Sequence, residues 1–180
     1  MSCKEKIEQT SEIGKLEMQW LRGKPGELFP FVAERHERFV KAPVSPDQRF
    51  RTRIHTHICN KDIKATPSLG DLIYILIDIG KSNIRNWHIA SVSKIGEVEG
   101  YVCMSATSQL TKKVKDSDDG IRKLWDEVYY GYFWFGLPKD RTEDQVMLEL
   151  LEKFKTLGLS IKIIPMESYV FNGQRFVNHL

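Results

Sequence analysis

The pattern of apolar and polar positions predicts a strand-rich chain with one central helix and two later helices. Residues 49–58 alternate basic and apolar side chains, which is typical of a strand with one face against a core. The Asn172-Gly173 pair is the strongest hairpin dipeptide in the chain. Other strands are predicted at residues 12–21, 28–32, 39–40, 84–92, 100–106, 159–165 and 169–177.

Three segments carry a helical pattern, at residues 68–79, 119–135 and 142–157. The first has an almost continuous apolar body, and Ser68 and Gly80 stand where a helix is expected to begin and end. Thr142 is a candidate cap for the third helix, and Gly158 is its expected stop. The charged residues 112–119 are predicted to form a loop, as are the polar residues 34–48 apart from the short strand at 39–40.

This order of elements predicts an α+β fold, in which a mixed β-sheet packs against helices. The chain of 180 residues fits a single domain spanning 1–180, large enough to bury a substantial core. Hydrophobic residues make up 41% and charged residues 28%, which is usual for a globular protein in water. The strands and helices are therefore expected to share one core.

Charge and cysteine content narrow the class of function. The net charge of +3, without any block of like charges, argues against nucleic acid as a partner. No apolar run is long enough for a membrane span, and the N-terminus lacks the apolar region of a signal peptide. The three widely spaced cysteines, Cys3, Cys59 and Cys103, favour reduced thiols and a cytoplasmic location.

The candidate chemistry lies in the segment from Arg53 to Asp71. His55 and His57 are two positions apart on a predicted strand, so their side chains project from the same face. Asp71 follows fourteen residues after His57, and a chain that turns back could bring its carboxylate to the imidazoles. Two imidazoles and one carboxylate leave the fourth position of a tetrahedral Zn²⁺ ion open to water, as in catalytic zinc sites.

The same residues resemble the signature of the JAB/MPN (JAMM) metalloprotease family. That signature is His-Ser/Thr-His, a spacer and Ser-x-x-Asp, with a glutamate some forty to fifty residues upstream. Here it reads His55-Thr56-His57 and Ser68-x-x-Asp71, and Glu12 stands forty-three residues before His55. The spacer holds ten residues where the usual pattern has seven. The resemblance covers roughly residues 12–105.

The resemblance implies an MPN/cytidine-deaminase-like three-layer fold and a zinc-dependent peptidase or isopeptidase. It implies that His55, His57 and Asp71 bind Zn²⁺ and that the metal lowers the pKa of a water molecule. Glu12 would act as general base and then general acid, and Ser68 would donate to the oxyanion of the reaction. The substrate would be a protein or peptide, with isopeptide bonds on ubiquitin-like tails among the candidates; the oligomeric state is not predicted.

Each candidate also has a purely structural interpretation. Ser68 and Asp71 have the spacing of a helix-capping pair, a role that is compatible with metal binding. Cys59 is either a competing soft ligand or, as we favour, apolar packing. His88 and Cys103 are predicted in the core, and His36 on a solvated loop. The alternative function is a catalytically inactive MPN-like module that binds protein.

Two further patterns leave a choice between packing and binding. The arginines at 49, 51 and 53 alternate on one strand face, where they could attract an acidic partner or simply be exposed. An apolar stripe, rich in aromatic residues, runs at helical spacing through Trp125, Val128, Tyr129, Tyr132 and Phe133, and Trp134 and Phe135 widen it. We expect the stripe to pack against the sheet, with any exposed remainder available to a protein partner.

Overall fold

The computed structural model describes residues 19–23, 29–30, 34–35, 40–41, 49–59, 67–95 and 97–165. Within these ranges a six-stranded sheet has the order β2-β1-β5-β6-β7-β8, and β3 and β4 form a separate two-stranded ribbon. Strands β5 and β6 are parallel, and every other pair is antiparallel. The strands are β1 Gln19–Arg22, β2 Phe29–Pro30, β3 Glu34–Arg35, β4 Val40–Lys41, β5 Thr52–Cys59, β6 Asn86–Ser93, β7 Val98–Ala106 and β8 Leu159–Pro165.

The helices of the described part of the chain lie after β5. A π-helix, Asp126–Trp134, continues directly from the α-helix Asp119–Trp125, so the two form one uninterrupted helical segment. None of these helices is long and apolar enough to cross a membrane. The α-helices are α1 Leu69–Lys81, α2 Ser108–Lys115, α3 Asp119–Trp125 and α4 Glu143–Leu157.

Helix α1 connects the parallel pair β5 and β6, as a crossover between parallel strands requires. Its apolar residues recur every three to four positions, so one face of the helix can be buried against the sheet. Strands β5, β6 and β7 present Arg53, Trp87 and Met104 in one register row on this side. The buried apolar residues of α1 are Leu69, Leu72, Ile73, Ile75, Leu76 and Ile79.

Helix α4 begins and ends as its sequence predicts. The Thr142 hydroxyl accepts from the Gln145 backbone N–H, and the Gln145 side chain accepts from the Thr142 backbone N–H. Gly158 ends the helix at φ 114°, a left-handed conformation. A Cβ atom there would lie 2.4 Å from Thr107 Oγ1, so the position requires glycine.

The prediction of an α+β fold with a mixed sheet and packed helices is confirmed. The hairpin between β1 and β2 is present, and the bounds of β5 to β8 lie within three residues of their predicted positions. The short strand predicted at residues 39–40 appears as β4, Val40–Lys41. The predicted strand at residues 169–177 lies outside the described residues.

Three local predictions are wrong. Part of the predicted loop at residues 112–119 belongs to α2, whose polar composition hid a helix that buries only Leu110. Gly80 does not end α1, which continues to Lys81 and is capped by Ser82. Residues 34–35, predicted as loop, form β3. For α2 and β3, packing or pairing with a neighbouring element overrides a weak local pattern, whereas the end of α1 is set locally by Ser82, whose backbone N–H and hydroxyl donate to the Asp78 carbonyl.

Candidate metal centre

His55 and His57 reach the same point because they lie on the same face of β5, the face that meets α1. Their Nε2 atoms are 3.1 Å apart, and their rings meet edge to face with centroids 4.9 Å apart. Strand β5 is held between β1 and β6, with His55 paired to Gln19 on one side and Ile89 on the other. The sheet therefore fixes the backbone that carries both imidazoles.

Asp71 is brought to the imidazoles by the first turn of α1. The Ser68 hydroxyl accepts from the Asp71 backbone N–H at 3.3 Å. In return, Asp71 Oδ2 accepts from the Ser68 backbone N–H at 2.6 Å and from the Ser68 hydroxyl at 2.9 Å. This capping box holds Oδ2 on the helix terminus and leaves Oδ1 directed at His55, whose Nε2 is 2.9 Å away.

The distances match those of a tetrahedral metal site. Zinc lies about 2.0–2.1 Å from imidazole nitrogen, so two ligand atoms on one edge of the tetrahedron are about 3.3–3.4 Å apart. The two Nε2 atoms are 3.1 Å apart, His55 Nε2 lies 2.9 Å from Asp71 Oδ1, and His57 Nε2 lies 3.5 Å from Asp71 Oδ2. One ligand atom from each residue lies within 4.8 Å of the others. His55, His57 and Asp71 can therefore hold a metal ion.

The electrostatics favour an ionised Asp71. Burial by itself raises the pKa of this carboxyl. The charges of His55 and His57 and the hydrogen bonds from His55 and Ser68 lower the pKa by more than burial raises it. The net result is a pKa well below its ordinary value of 3.8. The first turn of a helix also stabilises negative charge. Asp71 therefore presents a carboxylate, the form that binds a cation, at any neutral pH.

The site is partly open to solvent. The side chain of His57 is 18% exposed, whereas those of His55 and Asp71 are 9% and 12% exposed. Among the described residues, no other histidine, cysteine, aspartate or glutamate joins the three. This set of three ligands leaves a tetrahedral ion at least one position that is not filled by a described residue, as catalytic zinc sites do.

The predicted general base, Glu12, lies outside the described residues, and its role stays a prediction. Ser68 is described, and its hydroxyl donates to Asp71. Its predicted role as donor to an oxyanion is also untested. Cys59 ends β5, two positions after His57.

His88 and Cys103 lie in the core, as predicted. Cys103 Sγ is 3.3 Å from His88 Nδ1, and both residues are buried on neighbouring strands. Burial raises the pKa of the Cys103 thiol to about 12, which keeps it protonated. The pair is thus part of the packing rather than a reactive thiolate site.

The interpretation of Arg53 as an exposed arginine is wrong. Its side chain is 2% exposed and forms a bidentate ion pair with Asp78 of α1. The sequence contained a signal for this contact. Arg53 shares its strand face with His55 and His57, and Asp78 is a single charge in an otherwise apolar stretch of α1. Arg49 and Arg51, by contrast, are exposed as predicted.

The aromatic stripe is divided between core and surface. Val128 is buried, and Trp125, Tyr129 and Tyr132 pack partly against the core. Tyr129 stacks on Trp125, with centroids 5.2 Å apart. The exposed aromatic residues are Tyr130, Phe133, Trp134 and Phe135, with exposed fractions from 50% to 79%.

Comparison of the chain with protein-family models, with curated proteins and with solved structures finds no match in any of the three.

Proposed function

We propose that this protein is a zinc-dependent peptidase or isopeptidase of the JAB/MPN (JAMM) type, with an MPN-like fold. The observation that carries the proposal is the convergence of His55, His57 and Asp71 at the spacing of a metal ligand set. The position of Ser68 at the start of a helix, bonded to Asp71, adds support from the second half of the signature.

Each residue has a defined task in this proposal. His55 and His57 would hold zinc through Nε2 and Asp71 through its carboxylate, whose Oδ2 also accepts from the Ser68 hydroxyl. Zinc held there would supply Lewis acidity, lowering the pKa of water and polarising an amide carbonyl. Glu12, by resemblance, accepts the proton of the attacking water and passes it to the leaving amine.

The choice of zinc rests on the ligand set. Imidazole nitrogen suits zinc and the later transition metals, whereas magnesium and calcium prefer oxygen ligands. Three protein ligands favour a catalytic over a structural zinc site. The substrate class follows from the resemblance, and linear and branched peptides with ubiquitin-like C-terminal tails are the first to assay.

The decisive experiment compares Glu12→Gln with Glu17→Gln, the same change in a carboxylate five positions further along the sequence. We expect Glu12→Gln to keep about one zinc per chain and to lose turnover by about 10²–10⁴-fold, the usual contribution of a positioned base. Glu17→Gln should keep both. Cleavage by the parent chain should stop in the presence of chelator and return when zinc is added.

Unchanged cleavage in Glu12→Gln would remove the assignment of the base. A chain that binds zinc but cleaves no peptide would favour the second candidate, a catalytically inactive MPN-like module that binds protein. The observation that favours this candidate is the exposed aromatic surface of Tyr130, Phe133, Trp134 and Phe135. Absence of zinc from the purified parent chain, after incubation with excess metal, would contradict the enzyme proposal.

A further inference from the structure

A second polar cluster joins β5 to α1, and it is buried. Arg53 Nε and Nη2 donate to Asp78 Oδ2 and Oδ1, both at 2.7 Å. Trp87 Nε1, on β6, donates to Asp78 Oδ2 at 2.9 Å. The guanidinium also lies 5.3 Å from the centroid of the Tyr74 ring. The side chains of Arg53 and Asp78 are 2% and 0% exposed.

This cluster and the candidate metal centre connect the same two elements at different ends. Arg53 precedes His55 by two positions on the same face of β5. Asp78 follows Asp71 by seven positions, about two turns or 10.5 Å along α1. On β5, four positions separate Arg53 from His57, about 13 Å. Strand β5 and helix α1 therefore run in opposite directions, and the two polar contacts join them at two places along their length.

Such a pair of contacts determines how the helix is placed on the strand. The apolar residues of α1 supply a non-directional attraction, which would tolerate a shift of the helix along the sheet. A bidentate arginine–carboxylate pair requires one geometry. A shift of one helical turn, about 5.4 Å, would separate Asp71 from the imidazoles as well as Asp78 from Arg53.

We propose that Arg53, Asp78 and Trp87 form a positioning cluster that holds α1 in the register at which Asp71 meets His55 and His57. The proposal rests on the metal site of the proposed function, because the register matters for the ligand set. These three residues touch neither substrate nor metal, and they act through the helix. Fixing register is also the best-attested use of buried polar pairs, which are weak evidence for stability.

The test separates register from stability. In the triple variant Arg53→Met, Asp78→Leu, Trp87→Phe, apolar side chains of similar size replace the whole cluster. Such replacements of buried ion pairs are often neutral or stabilising for the fold. We expect this variant to fold but to bind Co²⁺ about 10–100-fold more weakly, the loss that follows removal of groups that orient metal ligands. Its visible cobalt spectrum should differ from that of the parent chain.

Two single changes complete the series. Trp87→Phe removes one hydrogen bond to Asp78 and keeps the ion pair, so a smaller loss of Co²⁺ affinity is expected, and the chain should fold even if the triple variant does not. Leu150→Ala is the control, because Leu150 is buried on α4, outside the three elements β5, α1 and β6 that carry the cluster. It should lower the denaturation midpoint and leave the cobalt spectrum and affinity unchanged.

The outcomes distinguish this inference from the proposed function. Parent-like Co²⁺ affinity and spectrum in a folded triple variant, or in Trp87→Phe if the triple variant is unfolded, would overturn the positioning role. A parent chain that binds Co²⁺ and cleaves no amide would contradict the enzyme alone, and the affinity series would still test the cluster. A parent chain that binds no metal would overturn both.

Discussion

At the two ends of the β5–α1 pair, a carboxylate of α1 is balanced by different side chains. At each end a carboxylate of α1 faces basic side chains of β5. Asp78 accepts from Arg53 and from Trp87, and no part of its side chain is exposed. Asp71 gives one oxygen to its own helix terminus and the other to His55, and it remains 12% exposed.

The difference lies in what neutralises each carboxylate. Arginine carries a permanent charge, so Asp78 is balanced at every physiological pH. An imidazole can instead offer a nitrogen lone pair, which a divalent cation accepts. The Asp71 end therefore has a ligand set that could hold a divalent cation, whereas the Asp78 carboxylate already has a counter-ion in Arg53. The predictions below test this contrast, beginning with the largest effect.

Removing each carboxylate should affect stability very unequally. Asp78→Ala leaves the Arg53 guanidinium buried without a counter-ion, so we expect the free energy of unfolding to fall by about 3–5 kcal/mol. Asp71→Ala, measured in chelator, loses a helix-capping contact worth about 1 kcal/mol. Urea unfolding of both variants measures the difference. Equal losses would show that the two ends are not distinct.

Zinc should stabilise the protein through the Asp71 end alone. At a free zinc concentration 100 times the dissociation constant, we expect the free energy of unfolding to rise by about 2.7 kcal/mol. The double variant His55→Ala, His57→Ala should show no rise, and magnesium should have no effect on the parent chain. Thermal unfolding with each metal provides the measurement. Undiminished zinc stabilisation in the double variant would place the metal elsewhere.

The capping boxes that begin at Ser68 and Thr142 allow a closely matched test of Ser68. Ser68→Ala and Thr142→Ala should each cost about 1 kcal/mol, because each removes an N-cap hydroxyl. Only Ser68→Ala should also weaken Co²⁺ binding, by about 10-fold, because Ser68 orients a metal ligand. Cobalt titration of the two folded variants distinguishes them. The same affinity in both would confine Ser68 to capping.

The smallest expected effect concerns Tyr74, whose ring lies against the Arg53 guanidinium. Tyr74→Phe keeps the ring and should be close to neutral. Tyr74→Leu removes the cation–π contact and should cost about 0.5–1 kcal/mol more than Tyr74→Phe. Denaturant unfolding of the pair measures this increment. A Tyr74→Phe variant that loses as much as Tyr74→Leu would assign the effect to the hydroxyl.

The sequence predicts the candidate metal centre better than the cluster beside it. Period-two spacing places both histidines on one face, and Ser68 and Asp71 have the spacing of a capping box, so local rules suffice for these residues. The Arg53–Asp78 pair depends on the register between strand and helix, which alternation along one strand does not specify. The sequence pattern therefore does not predict the Arg53–Asp78 pair, although both residues lie on faces that point inward.

The same distinction explains the other errors. The start of α4 at its Thr142 cap and its end at Gly158 follow from residues within one turn of the boundary. Helix α2 and strand β3 depend on neighbours distant in sequence or on pairing with another short strand. The sequence pattern also does not distinguish the π-helix from an α-helix. The apolar residues of the stripe continue through it at a spacing like that of an α-helix.

The closeness of the ligands in sequence has a consequence for folding kinetics. His55, His57 and Asp71 fall within 17 consecutive positions, whereas β1 and β8 bring chain segments from far outside that span to the sheet. Closing a short loop costs less chain entropy than closing a long one, by about 0.6 kcal/mol for each halving of its length. The end of β5 and the first turn of α1 can thus meet early in folding. A metal ion that binds them at that stage would speed the formation of the native chain and would also slow its unfolding.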